Sequence, residues 1–295
     1  MAPLDLPRAR FPYNLQGDMA TDFASALEKE KGELELLVSA WQRGGEARKR
    51  AVLALARGRP EKWAEGLTGS IPEARRLAAA ALGASEGSPE LILDLLHVLA
   101  ADPDPHTRNL AARAAGQQLA RRFPEVYPVL GTWRGDPEPW VRRAVPIAAA
   151  TCAHSQHLDW AVPLLKLIEP LLSDRAPEVK GILGPRVLAH ELAVAYPDDT
   201  FEYLTFWSTS HDEQVLWHVA MALSGPLAGR RPRKALILLR KLALDERRYV
   251  RGAVAAALRR LGKIAPDPVL AELKRWLADE DRAPIARAAL RSFQP

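Results

Sequence analysis

Trp133 and Trp140 flank Asp136 in the run GTWRGDPEPWVRRAV, and Arg142 and Arg143 follow at once. An indole offers a flat face on which a base or sugar can stack. A guanidinium is planar, permanently charged and matched to phosphate by its paired donors. On a helix Arg143 points about 100° away from Arg142, free of whatever holds its neighbour. Arg76 stands in the same relation to Arg75. This is the chemistry of holding a polyanion, and it needs no covalent step.

Residues for covalent or metal chemistry are sparse. No Gly-rich phosphate loop occurs, and His190-Glu191-Leu192 lacks the second histidine of a zinc-binding helix. Cys152 precedes His154 and His157. Residues two apart on a helix face different sides, so Cys152 reads as a packed small residue. His211, Asp212 and His218 do not have compact ligand spacing on one helix. No metal and no cofactor are expected.

The 295 residues are 48% hydrophobic and 26% charged, which describes an ordinary globular chain and excludes general disorder. One cysteine excludes an intrachain disulfide and a cysteine-rich metal centre. No apolar run reaches membrane-spanning length, and the first residues lack a secretory core, so a cytoplasmic protein without membrane contact is expected. The 41 basic and 36 acidic residues give a net charge of +5. Residues 225–263 alone hold twelve basic and two acidic residues, a net of +10, which leaves −5 for the rest. A localised basic block on a mildly acidic chain points to a polyanionic partner. Arg230, Arg231 and Arg233 open that block.

A repeated phrase must position these side chains. An Asp opens a turn, a basic residue follows six positions later, and an Ala-rich apolar stretch comes next. Copies start at Asp102, Asp136, Asp174, Asp212, Asp245 and Asp281, with Gly69 in the Asp slot of an earlier copy. The starts are 33, 34, 38, 38, 33 and 36 residues apart. That period fits a helix–turn–helix unit of a solenoid. Leu77, Ala80 and Ala81, and later Val250, Val254, Ala257 and Leu258, keep the three- and four-residue steps of a helix face. Outer helices are expected between the copies, at 89–100 and 157–172. The aromatics Phe201, Tyr203, Phe206, Trp207 and Trp217 read as packing between helices.

The phrase resembles the HEAT repeat, a helix pair with an Asp before the second helix and a basic residue within it. The likeness covers about residues 40–295 and implies an all-α fold. The expectation is a right-handed superhelical solenoid of about seven HEAT-like helix pairs, forming a single domain over 26–295 behind a poorly structured arm at 1–25. The repeat Asp is expected to cap its helix, and the basic residue to reach a carboxylate of the neighbouring repeat. Asp102, Arg108, Asp136, Arg142, Asp174 and Arg251 are the members expected in that ladder.

A narrower likeness runs through RRFPEVYPVLGTWRGDPEPWVRRAV and LLSDRAPEVKGILGPRVLAHELAVAYPDDTFEYL. Over about residues 110–205 the chain resembles the HEAT-like alkylpurine DNA glycosylases (the AlkC/AlkD superfamily). The resemblance implies a basic groove that cradles duplex DNA. Trp133 and Trp140 fall on that family's paired tryptophans, and Arg143 falls on a backbone-contacting arginine. The chain departs from the family where it matters for chemistry. Asn109 or a neighbour occupies the slot of the catalytic acid, and Arg186 or Val187 stands where a second lesion-site tryptophan would be.

Two functions are therefore expected. One is a DNA-binding repeat protein, with repair of alkylated DNA as its associated activity. Its binding residues would be Arg76, Trp133, Trp140, Arg143, Arg186, Arg230, Arg231 and Arg233. The other is a non-catalytic scaffold that holds a protein partner on its inner face.

Overall fold

The computed structural model describes residues 32, 33, 35–57, 71–291 and 293. The expected arm at 1–25 lies outside them. Among the described residues the chain is helical, without strands. After α1 (Gly45–Arg57) come α2 (Pro72–Ala84), α3 (Pro89–Ala100), α4 (Pro105–Arg121), α5 (Phe123–Trp133) and α6 (Pro139–Cys152). Then follow α7 (Ala161–Ile168), α8 (Pro177–Ile182) and a π-helix, Leu183–Leu192. The remainder is α9 (Pro197–Trp207), α10 (Glu213–Ala222), α11 (Pro226–Arg230), α12 (Pro232–Leu242), α13 (Arg248–Ile264), α14 (Pro266–Trp276) and α15 (Ala283–Leu290).

The helices form two rows, as a solenoid requires. The repeat phrases supply the inner row: α2, α4, α6, α8 with its π-helix, α10, α13 and α15. The outer row is α3, α5, α7, α9, α12 and α14. Proline opens most of them, including Pro72, Pro89, Pro105, Pro139, Pro177 and Pro232. Its missing N–H costs nothing in a first turn, and its fixed φ suits the helix. The expected outer helix over 157–172 is broken into 3-10 turns at Leu158–Trp160 and Glu169–Ser173 around α7.

Small residues set the spacing within the inner row. A Cβ on Gly116 would lie 2.5 Å from the backbone oxygen of Ala148, so α4 and α6 approach backbone to backbone. Gly184 plays the same part in the π-helix, where an added Cβ would stand 2.7 Å from His218 Nδ1. Between the rows, Leu77, Leu96, Leu119, Leu164 and Leu239 are fully buried. Truncating any of them to alanine would cost about 2–5 kcal/mol. The aromatics divide. Phe201 and Trp207 are buried as expected, Tyr203 and Trp217 are half-buried, and Phe206 is 65% exposed.

The repeat Asp does not cap its helix in most copies. Asp102, Asp136, Asp174 and Asp245 each accept a hydrogen bond from the backbone N–H two residues on, at 2.8, 2.8, 2.9 and 2.9 Å. They close the turn that precedes the helix, in the manner of an Asx-turn. In the Asp102 copy the cap is Asp104, whose carboxylate accepts from Thr107 N. Asp212 alone among these starts is the N-cap of its helix, accepting from Gln214 N at 2.7 Å.

Candidate functional site

The ladder of basic residues alternates in kind. Arg75 donates through Nε to Asp102 at 2.6 Å, and Arg142 reaches Asp174 in the same way at 2.6 Å. Between them the pattern breaks. Asp136 is held by His97 Nε2 at 2.7 Å, and Arg108 turns to Trp140, its guanidinium carbon 3.9 Å from the ring centroid. Arg108 Nη1 donates to the carbonyls of Asp102 and Pro103, while its Nε is buried without a partner. Lys180 repeats the diversion, lying over Trp217 and Tyr249 at 4.6 and 4.5 Å. Arg251 does not reach a carboxylate side chain and donates to the backbone oxygen of Asp281.

Arg143 lies beside this break. Both terminal nitrogens donate to Asn109 Oδ1 at 3.1 Å, and the guanidinium stands 5.6 Å from the Trp140 centroid. No carboxylate among the described residues pairs with it. Partial burial, followed by the like charges of Arg108 and Arg186, lowers its pKa from the ordinary arginine value. A half-buried cation among cations is a place where an anion is stabilised.

Arg143 lines a groove of about 540 Å³ together with Arg48, Arg76, Arg113 and Arg186. Trp41, His106, Asn109 and Leu110 complete the lining, which contains no carboxylate residue. Four of these arginines come from α1, α2, α4 and α6. Arg186 comes from the π-helix, where Pro185 has no N–H to give an α-helical bond. In a π-turn residues five apart share a side. That brings Arg186 Nε to Glu191 Oε1 at 3.1 Å, and π-turns recur at functional sites.

The expected site residues thus separate into groups. Arg76, Arg143 and Arg186 share the groove as expected, although Arg76 is not free. It forms a two-pronged pair with Asp104, both bonds 2.8 Å, which holds the Asp104 carboxyl well below the usual range. Trp133 corrects the expectation of a stacking surface. It is 4% exposed, under the edge of His97, where helix α5 turns it into the core. Trp140 is half-buried, and its face is taken by Arg108. Arg230, Arg231 and Arg233 do not reach the groove, because α11 and α12 stand outside the inner row. Arg231 pairs with Asp198, and Arg230 and Arg233 are exposed.

Sequence reasoning missed Arg48 and Arg113. Arg113 is five residues beyond the ladder position Arg108, which returns it to the exposed side of α4. No GxSxG nucleophile turn was expected from the sequence, yet GASEG at 83–87 has that spacing. Ser85 is 2% exposed, follows a helix rather than a strand, and its Oγ accepts from Gly87 N. It is a helix stop. Cys152 is buried, and burial pushes its thiol up to about 12, so it is inert as a nucleophile.

A family model described as HEAT repeats matches residues 60–150, the stretch that carries Arg76, Arg113 and Arg143. The chain is a HEAT-like all-α solenoid. No curated protein matches it. Among solved structures it is similar to the Escherichia coli protein YibA, at 19% identity over 96% of this chain and 98% of that one, with a TM-score of 0.38. An engineered protein is 21% identical over 90% of this chain and 79% of its own, with a TM-score of 0.32. A designed armadillo repeat protein in complex with the peptide (KR)4 is 16% identical over 89% of this chain and all of its own, with a TM-score of 0.27. No described helix is long and apolar enough to cross a membrane.

Proposed function

We propose that this solenoid binds duplex DNA by its phosphate backbone along the arginine groove. The carrying observation is Arg143: half-buried, flanked by Arg108 and Arg186, and held by an amide oxygen instead of a carboxylate. A phosphate at that place supplies the missing counter-charge and accepts two guanidinium donors at once. The groove arginines are spread over α1 and four successive helices of the inner row, the last of them the π-helix. At about 8–10 Å per helix step they span roughly 30–40 Å, which suits an extended polyanion better than a single small anion.

Base excision is not included in the proposal. The position that the glycosylase resemblance gives to the catalytic acid is Asn109, and its amide is engaged by Arg143 and by the carbonyl of Pro105. Asp104, close by, is tied to Arg76 and Thr107. Neither group offers a free carboxylate to a developing sugar cation. The alternative role, a scaffold, was expected to hold its protein partner on the inner face, whereas the exposed apolar side chains Phe206 and Ile237, 65% and 60% exposed, lie on the outer row. Exposed apolar side chains of that size suit a protein partner more than a nucleic acid.

Fluorescence anisotropy of a labelled duplex at about 50, 100 and 200 mM salt tests the DNA reading, because released counterions make such binding fall steeply with salt. Sub-micromolar affinity with a steep negative salt slope is the expected result. Absence of binding at the lowest salt overturns the reading and leaves the scaffold.

A further inference from the structure

In the outer row, α9 and α12 are neighbours but pack less closely than the pairs on either side, α7 with α9 and α12 with α14. An open pocket of about 350 Å³ lies between them. Its floor is apolar, made by the nearly buried Phe201 and Leu238. Ile237 stands at its edge and is mostly exposed. Phe206, also mostly exposed, lies one turn beyond Glu202 on the same side of α9.

The two edges of the pocket carry opposite charge. Asp198 and Glu202 line it from α9, and Arg231 and Lys234 line it from the α12 side. Arg231 pairs with Asp198, so α9 and α12 run in the same direction with their starts level. Along both edges the charged residues come first, and the apolar Phe206 or Ile237 follows. Asp198 and Lys234 remain exposed, so each has a side left for a second partner.

This pattern is complementary to itself. A second copy, turned by 180° about an axis along the pocket, lays its α9 on α12 of the first at the same height. Its own α12 then lies on α9 of the first. Asp198 and Glu202 of each copy face Arg231 and Lys234 of the other, and Phe206 of each meets Ile237 of the other. Every contact is made twice, as a two-fold interface requires. An apolar centre with a charged rim is the ordinary anatomy of such a surface.

We infer that this face joins two copies of the chain into a two-fold dimer. The inference is independent of the DNA-binding reading, because the face belongs to the outer row and leaves the arginine groove of the inner row open. Each helix has eleven residues. Two helices of that length offer less than the roughly 800 Å² per partner of a standard interface, so a dissociation constant in the micromolar range is expected.

Sedimentation velocity of the full chain over about 5–200 µM brackets that range. The mass should rise with concentration from that of one chain toward that of two. Phe206→Glu puts two carboxylates into the apolar centre and should weaken association by about tenfold or more. The side chain is mostly exposed, so the thermal midpoint should stay unchanged. Glu202→Lys and Lys234→Glu each set like charges against one another and should each weaken association about tenfold. An equimolar mixture of these two variants should recover the association of the unaltered protein, because the mixed pair restores opposite charges at both contacts. A single-chain mass at every concentration of the unaltered protein would overturn the dimer and give the pocket to a different protein. A mixture that associates no better than either variant alone would overturn it as well.

Discussion

Residues 225–263 carry the densest positive charge of the chain, yet their cations are compensated in ways that those around Arg143 are not. Arg231 pairs with Asp198, Arg240 with Glu272 and Arg247 with Asp245, while Arg230 and Arg233 lie in open solvent. Water or a carboxylate satisfies each of them. Arg143 has neither in full, since it is half-buried beside Arg108 and Arg186. The difference teaches that charge density along a chain is a poor guide to an anion site. What matters is a cation that folding has taken partly out of water without giving it a counter-charge.

Four measurements would break or sharpen that contrast. The largest effect is expected from Gly116→Ala, because the added Cβ meets the backbone of Ala148 at 2.5 Å. Overpacking of this kind costs about 1–3 kcal/mol, read as a lower urea midpoint. It also separates α4 from α6, so duplex affinity should fall as the Asn109–Arg143 contact is lost. Retained stability in this variant would mean that the inner row is less tightly set than described.

The second measurement concerns the other diverted ladder position, beside Lys180. Burial, then the charge of Lys180, pushes the His218 pKa down to about 3, against opposing contributions from Asp174 and Asp212. The unfolded chain takes up this proton below about pH 6.5, while the folded chain does not until far lower. Stability should therefore fall as pH drops through that window, by up to about 1.4 kcal/mol per pH unit. His218→Gln should remove that slope between about pH 6 and 4.5, whatever it does to absolute stability. An unchanged slope in chemical denaturation would place the buried proton elsewhere.

Charge reversal comes third. Arg143→Glu should weaken duplex binding by about tenfold or more, near 1.4 kcal/mol, and Arg143→Ala should lower the salt slope by about one. The smallest effect belongs to the double variant Arg230→Glu with Arg233→Glu. It should stay within about twofold of the unaltered protein at about 150 mM salt, since charges beyond a Debye length of the groove are screened. A greater loss in the double variant than in Arg143→Glu would move the interface to the outer row and undo the comparison.

Much of the architecture was legible in the sequence alone. The spacing of the Asp-opened phrase gave the period, and the apolar steps gave the helix faces. Both are local properties, governed by backbone geometry and by which side of one helix is apolar. The grouping of Arg76 with Arg143 was legible for the same reason, since each follows its ladder residue by one, whereas Arg186 lies six residues beyond Lys180 and joins them through the π-helix.

Pairing was not legible, because it depends on competition between side chains from different repeats. His97 takes Asp136, and only that contact leaves Arg108 to turn onto Trp140. Arg76 and Arg143 follow their ladder residues in the same way, yet Asp104 stands across from one and Asn109 across from the other. Trp133 and Trp140 look alike in sequence, yet the first is buried at the end of α5 and the second is half-buried at the start of α6 under Arg108. The sequence by itself determined a stacked row of helix pairs, because period and apolar phase are written along the chain. Tertiary structure alone decided which cations stay uncompensated, because that is settled by distance and desolvation across the seams between repeats.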